Sequence, residues 1–220
     1  MKIPVKIRKW LYAVLYAALF LFAGSFVPNF LTFANLLNVV RQCSIIAICA
    51  VGVTMVIVIK GIDLSVGGNV TFCGMIAGLL LASGVSIPLA ILAALLSGLI
   101  IGAVSGALTA YLEVPAFIAT LVVGEITQGA AFLFNNGRSF GGFPVGFVAI
   151  GNGAFLGVPF SDYLMVLFVL AGVFVTTKLP IGTRIYGLGG NEQVLKNVGI
   201  NTARIKMFVF TASGFCSMAD

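Results

Sequence analysis

The residues most able to do chemistry in this sequence are a few polar side chains inside long apolar runs. Residues 60–70 read KGIDLSVGGNV, so Asp63 and Ser65 stand between two hydrophobic stretches. Glu125, Thr127 and Gln128 stand inside another hydrophobic run. An ionisable group at membrane depth is costly and marks a functional site by default. One interpretation is therefore that these five side chains line a polar translocation path.

The stretch around Asp63 also has a structural interpretation, a tight junction between two helices. Gly61 ends the first helix, Asp63 or Ser65 caps the next, and Gly67 and Gly68 allow close packing. A helix broken at membrane depth would instead use freed backbone groups and Asp63 to line a polar path. The capping role is favoured, and the two roles are compatible.

Glu125 has two interpretations of equal weight. It lines the path with Thr127 and Gln128, or it either lies near the inner boundary of the membrane or pairs with Asp63 or Lys60 as polar packing between helices. Glu113 falls in a turn and is expected to be a solvated charge.

Several kinds of chemistry have no residues to carry them. The chain has no histidine and no Gly-Lys-Ser/Thr phosphate loop. The four cysteines are scattered through apolar runs without metal-ligand spacing. The GLGGN stretch lacks the spacing of a nucleotide-binding fingerprint. The sequence thus predicts no enzyme, no metal and no cofactor of its own.

The composition indicates an integral membrane protein. The chain is 60% hydrophobic and 8% charged, whereas soluble domains carry about 25% charged residues. The apolar runs are long and continuous, which predicts an all-α polytopic protein surrounded by membrane lipid, not a barrel. The net charge of +6 is concentrated before the first run and within residues 178–206. It is thus a topology signal, not a sign of nucleic-acid binding.

Six complete spans are predicted, at about residues 10–27, 44–59, 66–83, 89–111, 116–134 and 162–177. Residues 28–42 are expected at the outer interface, and residues 135–161 form a long ordered loop or a re-entrant piece outside. An even number of spans puts both basic segments on the cytoplasmic side. The protein is then a multi-pass plasma (inner) membrane protein with a cytoplasmic N-terminus.

A seventh apolar run, residues 207–219, is too short to span a bilayer. The sequence therefore predicts a single transmembrane domain, residues 1–220, that is incomplete at its C-terminus. Gly98, Gly102 and Gly106 recur every fourth residue on the fourth span, a pattern typical of close helix packing.

The second basic segment, residues 178–206, predicts a short amphipathic helix. Asn191 is a good N-cap, Glu192 and Lys196 form an i,i+4 pair, and Gly199 suits the C′ position. Thr202 is expected to cap the next helix. The apolar side chains of this helix are predicted to share one face and are Val194, Leu195 and Val198. The helix either lies on lipid or docks on a partner.

Three stretches together resemble permease subunits of ribose-type sugar importers of the ATP-binding cassette (ABC) class. They are GIDLSVGG, VPAFIATLVVGEITQG and GTRIYGLGGNEQVLKNVGIN. The resemblance runs across essentially the whole chain, and Gln128, Val194 and Leu195 depart from the usual pattern. The residues that match in the cytoplasmic loop are Gly189, Gly190, Asn191, Glu192 and Gly199.

The resemblance implies a permease that moves a monosaccharide or similar polyol inward. It implies three partners: an ATPase subunit that binds the ATP, an extracytoplasmic sugar-binding protein and a second permease copy. Residues 178–206 would then be the loop that couples to the ATPase. Two other interpretations remain, an ion-coupled secondary transporter that uses Asp63 and Glu125, or a non-functional truncated remnant.

Overall fold

A computed structural model describes residues 5–138 and 140–218. Lys2 of the basic start, Ser139 of the predicted outer loop and residues 219–220 lie outside this range. The described residues form ten helices and one hairpin: α1 (Val5–Phe26), α2 (Phe33–Val58), α3 (Val66–Ala82), α4 (Ile87–Ala110), α5 (Ala116–Asn135), α6 (Val145–Asn152), β1 (Ala154–Phe155), β2 (Val158–Pro159), α7 (Phe160–Lys178), α8 (Pro180–Gly190), α9 (Glu192–Asn197) and α10 (Thr202–Met218).

Six apolar helices correspond to the six predicted spans. Four are long and apolar enough to cross a bilayer, namely α2, α4, α5 and α7. The apolar part of α1 and the whole of α3 are slightly shorter. The 17 residues of α3 rise about 26 Å at 1.5 Å per residue, close to the hydrocarbon thickness of about 30 Å. The prediction of an all-α polytopic membrane protein is confirmed.

Helix α2 begins eleven residues before the predicted span, so residues 33–42, which are expected at the outer interface, are helical and continuous with that span. The Thr32 hydroxyl accepts the N–H of Asn35, at 3.4 Å, as an N-cap does. The side-chain amide of Asn35 donates back to the Phe30 carbonyl oxygen at 2.7 Å. Polar residues between Thr32 and Gln42 therefore lie on a helix, and α2 is not a short span.

The predicted outer segment, residues 135–161, contains α6 and the β1–β2 hairpin. The two strands are antiparallel, with Ala154 opposite Pro159. The turn residues Leu156 and Gly157 both have positive φ, 52° and 81°, as a tight two-residue hairpin turn requires. The Tyr163 hydroxyl donates to the Phe155 carbonyl at 3.0 Å, which attaches the hairpin to α7.

The chain divides into two compact units, residues 1–42 and 43–220. In the second unit the helices α3, α4, α5 and α10 pack together. A buried apolar cluster that includes Val56, Ile185 and Phe210 joins the end of α2 to α8 and α10. The short helices α8 and α9 thus rest on the ends of the longer ones.

The glycine stripe of α4 lies against α10. A Cβ atom built on Gly102 would lie 3.0 Å from the Gly214 Cα atom, and one on Gly98 would lie 2.7 Å from the Met218 Cβ atom. A Cβ on Gly106 would lie 3.2 Å from the Met207 Cα atom. The absence of side chains therefore lets the two backbones approach closely, as expected for such a stripe.

Candidate functional site

The chain between α2 and α3 is not helical and forms the centre of the candidate site. Lys60 has a left-handed backbone, with φ 63°, and the Gly61 N–H closes the end of α2 on the Val56 carbonyl at 2.9 Å. From Gly61 to Ser65 the backbone lacks regular structure, and this segment is called the break below. Its N–H and C=O groups therefore need partners from elsewhere, since lipid offers none.

The Asp63 carboxylate joins this segment to α10. Its Oδ1 accepts the N–H of Ser65 at 2.9 Å and the Ser65 hydroxyl at 2.6 Å. Its Oδ2 accepts the hydroxyl of Ser213, on α10, at 2.6 Å. Both serines are buried, with 2% exposure for Ser65 and 0% for Ser213. Hydrogen bonds to a charged acceptor are stronger than neutral ones, so Asp63 fixes the segment to α10.

Thr120 of α5 attaches the same segment from another side. Its buried Oγ1 accepts the Leu64 N–H at 3.0 Å. The same oxygen lies 3.1 Å from the Ile62 carbonyl and 2.8 Å from the Ala116 carbonyl, and its single proton serves one of these at a time. Thr120 therefore provides hydrogen-bond partners for backbone groups of the break, which have no partners within a helix.

The prediction that Asp63 or Ser65 caps α3 is wrong. Ser65 is the N-cap residue by position, but its side chain makes no capping hydrogen bond in the described helix. Asp63 bonds to Ser65 itself, the short-range turn that aspartate side chains favour. The prediction of close packing holds for Gly68, whose built Cβ would lie 2.5 Å from the Thr127 Oγ1, whereas Gly67 has no described atom within 4 Å.

The five predicted path residues do not share one surface. Thr127 is buried at 8% exposure toward α3, and its hydroxyl bonds to the Val123 carbonyl of its own helix at 2.9 Å. Glu125 and Gln128 are exposed on other sides of α5. Glu125 pairs with neither Asp63 nor Lys60 among the described residues, so the predicted packing pair is absent there.

Three polar residues of the site had no functional prediction, Asn69, Thr120 and Ser213. Asn69 is fully buried on α3, and its side-chain amide donates to the Gly214 carbonyl of α10 at 3.1 Å. All three lie in apolar runs, where an isolated small polar side chain is the one signal that the sequence offers. Among the described residues, no cluster of His, Cys, Asp and Glu could hold a metal ion.

The second part of the site is the α8–α9 pair, which lies at the same end as the break. The Lys60 ammonium donates to the Gly190 carbonyl at 3.3 Å. A Cβ on Gly189 would overlap the Val58 carbonyl oxygen at the end of α2. The break and the second basic segment are therefore adjacent, as the even number of spans predicts. The sequence did not predict α8, which replaces part of the expected loop.

Helix α9 is fixed at both ends as the sequence predicts. The Asn191 Oδ1 accepts the N–H groups of Gln193 at 2.9 Å and Val194 at 3.3 Å. At the other end Gly199 has φ 79°. Its N–H bonds to the Lys196 carbonyl, and the Ile200 N–H bonds to the Leu195 carbonyl, both at 3.0 Å. This is a Schellman motif, which makes a six-residue helix well defined.

The three apolar residues of α9 do not form one exposed face. Val194 and Val198 are 56% and 67% exposed. Leu195 is half-buried and packs on the core cluster of α2, α8 and α10, in contact with Gly187. The prediction of a shared surface is therefore wrong for Leu195, because periodicity cannot tell which side of a short helix faces its own protein.

Glu192 links α9 to α10. Its Oε2 lies 2.9 Å from the Lys206 ammonium, and its Oε1 lies 3.2 Å from the Lys196 ammonium. The Thr202 hydroxyl donates to Oε1 at 3.0 Å. Burial raises the pKa of Glu192, but hydrogen bonds from Lys206, Lys196 and Thr202 outweigh it and hold the pKa below its ordinary value.

The predicted cap of the next helix is also corrected. The Thr202 side chain bonds to Glu192, and the Asn201 Oδ1 instead accepts the N–H of Arg204 at 3.1 Å. Asn201 is thus the N-cap of α10. Beside it lies an open cleft of about 440 Å³, lined by Glu113, Lys196 and Lys206 among others.

Comparison with known proteins places the chain in a transporter family. Residues 35–218 match the family described as branched-chain amino acid transport system, permease component. The ribose import permease protein RbsC of Haemophilus influenzae is 41% identical over 86% of this chain and 60% of the relative, and that of Escherichia coli is 38% identical over 85% and 60%.

The autoinducer 2 import system permease protein LsrC of Salmonella paratyphi B is 30% identical over 89% of this chain and 57% of the relative. The chain thus spans about 60% of the length of these curated relatives. No solved structure matches it. The resemblance to ribose-type permeases is confirmed, and the match over residues 35–218 shows that the chain belongs to this family of transport permease components.

Proposed function

We propose that this chain is the transmembrane permease subunit of an ABC importer that moves a monosaccharide or similar polyol inward. Relatives named as ribose and autoinducer 2 import permeases support this proposal. The ATP is bound by a separate ATPase subunit, and an extracytoplasmic sugar-binding protein delivers the substrate. A second permease copy completes the path across the plasma (inner) membrane, with the N-terminus in the cytoplasm.

The observation that carries the proposal is the geometry of α9. A six-residue helix is too short to be stable alone, yet α9 is capped at both ends and held by Leu195 and Glu192. It presents Val194 and Val198 to its surroundings. A rigid exposed apolar patch on a membrane protein's polar end is suited to a protein partner. We assign it to the ATPase subunit.

The first experiment tests the energy source. Right-side-out vesicles that contain the permease and the ATPase, with ATP enclosed and the binding protein added outside, are supplied with labelled sugar. Uptake is expected to stop when ATP is removed and to continue when ionophores collapse the ion gradients. The reverse result would favour an ion-coupled secondary transporter and refute the ABC assignment.

The second experiment tests the docking surface with Val194→Asp. Val194 is the third residue of α9, where an acidic side chain is favoured by the helix dipole, so the helix is expected to remain folded. Burying an unpaired carboxylate at a partner interface costs several kcal/mol. Co-purification of the ATPase subunit is therefore expected to fall by more than about tenfold.

Val145→Asp provides the matched control. Val145 begins α6 in the predicted outer segment and is 87% exposed. The same charge change there is expected to leave ATPase co-purification unchanged. Equal co-purification with Val194→Asp would remove α9 from the docking surface. The Leu195→Asp variant is unsuitable for this test, because Leu195 packs inside the protein itself.

A further inference from the structure

Helix α10 makes two polar contacts with other parts of the site, an ion pair with α9 and a hydrogen bond with the break. Lys206 holds Glu192 of α9 at 2.9 Å. Seven residues later, Ser213 holds Asp63 of the non-helical segment at 2.6 Å. Seven residues are nearly two turns of an α-helix, so the two side chains lie on the same face, about 10 Å apart along the axis. One face of α10 therefore contacts α9 through Lys206 and the break through Ser213.

The adjacent face of α10 packs on α4 through glycines. Gly214 faces Gly98 and Gly102 there, and a Cβ on Gly214 would lie 2.8 Å from the Gly102 Cα atom. This seam sets the distance between the two helices, but the facing glycines provide no side-chain ridges that interlock. Beside the apolar cluster on which Leu195 packs, the polar contacts of Glu192 and Asp63 join α10 to α9 and to the break.

We infer that Glu192 and Lys206 are positioning residues that transmit movement of α9 through α10 to the segment around Asp63. The inference rests on the proposed function, in which α9 docks on the ATPase. A helix of 17 residues behaves as a rigid rod over this distance, so a displacement at Lys206 reaches Ser213 undiminished. This link predicts that loss of one contact changes the energetic coupling between α9 and the segment around Asp63.

The chain offers a closely matched pair of lysines for the test. Lys196 and Lys206 both bind Glu192 through their ammonium groups, at 3.2 and 2.9 Å. Lys196 belongs to α9 itself, so its ion pair cannot transmit movement to another helix. Lys206 belongs to α10. Lys196→Met and Lys206→Met each remove one cation from the same carboxylate, but only the second removes an ion pair between helices, which leaves the Thr202 hydroxyl as the remaining hydrogen bond from α10 to Glu192.

The experiment uses the permease co-expressed with its ATPase and binding proteins and reconstituted in proteoliposomes. Sugar uptake and ATP hydrolysis are measured together, and the amount of assembled ATPase is measured by co-purification. Lys206→Met is expected to lower the sugar moved per ATP hydrolysed by about 3- to 30-fold, with normal assembly. For Lys196→Met, the sugar moved per ATP hydrolysed is expected to stay within about twofold of that of the unchanged protein. Lys206→Arg keeps the cation and should retain the ratio of the unchanged protein.

A purely structural role would lower uptake, hydrolysis and assembled protein together and leave their ratio unchanged, which would overturn the inference. Equal ratios for Lys196→Met and Lys206→Met would also overturn it. Ser213→Ala breaks the far end of the same link. If the link is real, Lys206→Met with Ser213→Ala should be no worse than the worse single variant, whereas additive losses would refute it. If the unchanged protein needs no ATPase for uptake, the proposed function fails instead.

Discussion

A single methyl group added to α10 should disrupt the packing of this protein more than most larger changes. Gly214 faces α4, and a Cβ built on it would lie 2.8 Å from the Cα and 2.9 Å from the N atom of Gly102, and closer still to the Gly98 carbonyl oxygen. All three atoms belong to the backbone and cannot rotate away. Gly214→Ala can therefore be accommodated only if α4 and α10 move apart.

The size of the effect follows from these distances. Ordinary van der Waals contacts of a Cβ begin at 3.4 Å, so the helices must separate by roughly 0.6 Å or more to reach contact. Overpacking of this kind costs about 1–3 kcal/mol. Where α10 itself shifts, the hydrogen bond from Asn69 of α3 to the Gly214 carbonyl, which is 3.1 Å long, is strained as well. We expect Gly214→Ala to lower the free energy of unfolding by about 2–4 kcal/mol.

Gly74→Ala is the matched control, because Gly74 also lies within a helix, α3, and has no described atom within 4 Å of its built Cβ. There alanine is expected to stabilise by about 0.5–1 kcal/mol through its higher helix propensity. Unfolding by sodium dodecyl sulfate in mixed micelles, followed by circular dichroism, measures both variants. Gly214→Ala that is as stable as Gly74→Ala would refute the close approach of α4 and α10.

Three further predictions test other contacts. Asp63→Ala leaves the buried hydroxyls of Ser65 and Ser213 without an acceptor, and it should lower the free energy of unfolding by about 2–5 kcal/mol in the same assay. Asp63→Asn keeps one acceptor oxygen and should cost less than half as much. Equal costs for the two variants would contradict the assigned hydrogen bonds. Single cysteines at Asn136 and Asn201 in a cysteine-free background should react with an impermeant reagent in intact cells at Asn136 alone, and labelling at Asn201 alone would invert the topology. The pKa of Glu192 is lowered in the folded protein, so its ion pairs stabilise the fold above the ordinary pKa of 4.5, and this contribution is lost as pH falls through the folded-state value. The difference in melting temperature between the unchanged protein and Glu192→Gln should therefore shrink on acidification from pH 7. A constant difference would refute the charge role.

The parts of the structure that were predictable depend on neighbours in sequence. Apolar runs determine where spans lie, since each helix satisfies its own backbone hydrogen bonds in lipid. The caps of α9 are equally local, because Asn191 and Gly199 act within three or four residues of themselves. Such features need no knowledge of the rest of the fold.

The features that were missed depend on residues distant in sequence, or on which of two equally suitable residues forms a contact. The partners of the break come from 56 and 150 residues away, through Thr120 and Ser213. Asn201 and Thr202 are both good N-caps, and Glu192, ten residues away in sequence, draws the Thr202 hydroxyl to itself. The inward turn of Leu195 depends likewise on the core cluster that α9 meets.

The break between α2 and α3 gives Asp63 a role that the sequence did not predict, a link to α10. Its Oδ1 already accepts two hydrogen bonds and its Oδ2 accepts one from Ser213. A carboxylate has about four acceptor sites in all, so about one of them remains open to a further donor. Glu125 is exposed and forms no ion pair among the described residues. Asp63 therefore has a structural role, since it holds the break to α10, whereas no described contact gives Glu125 such a role.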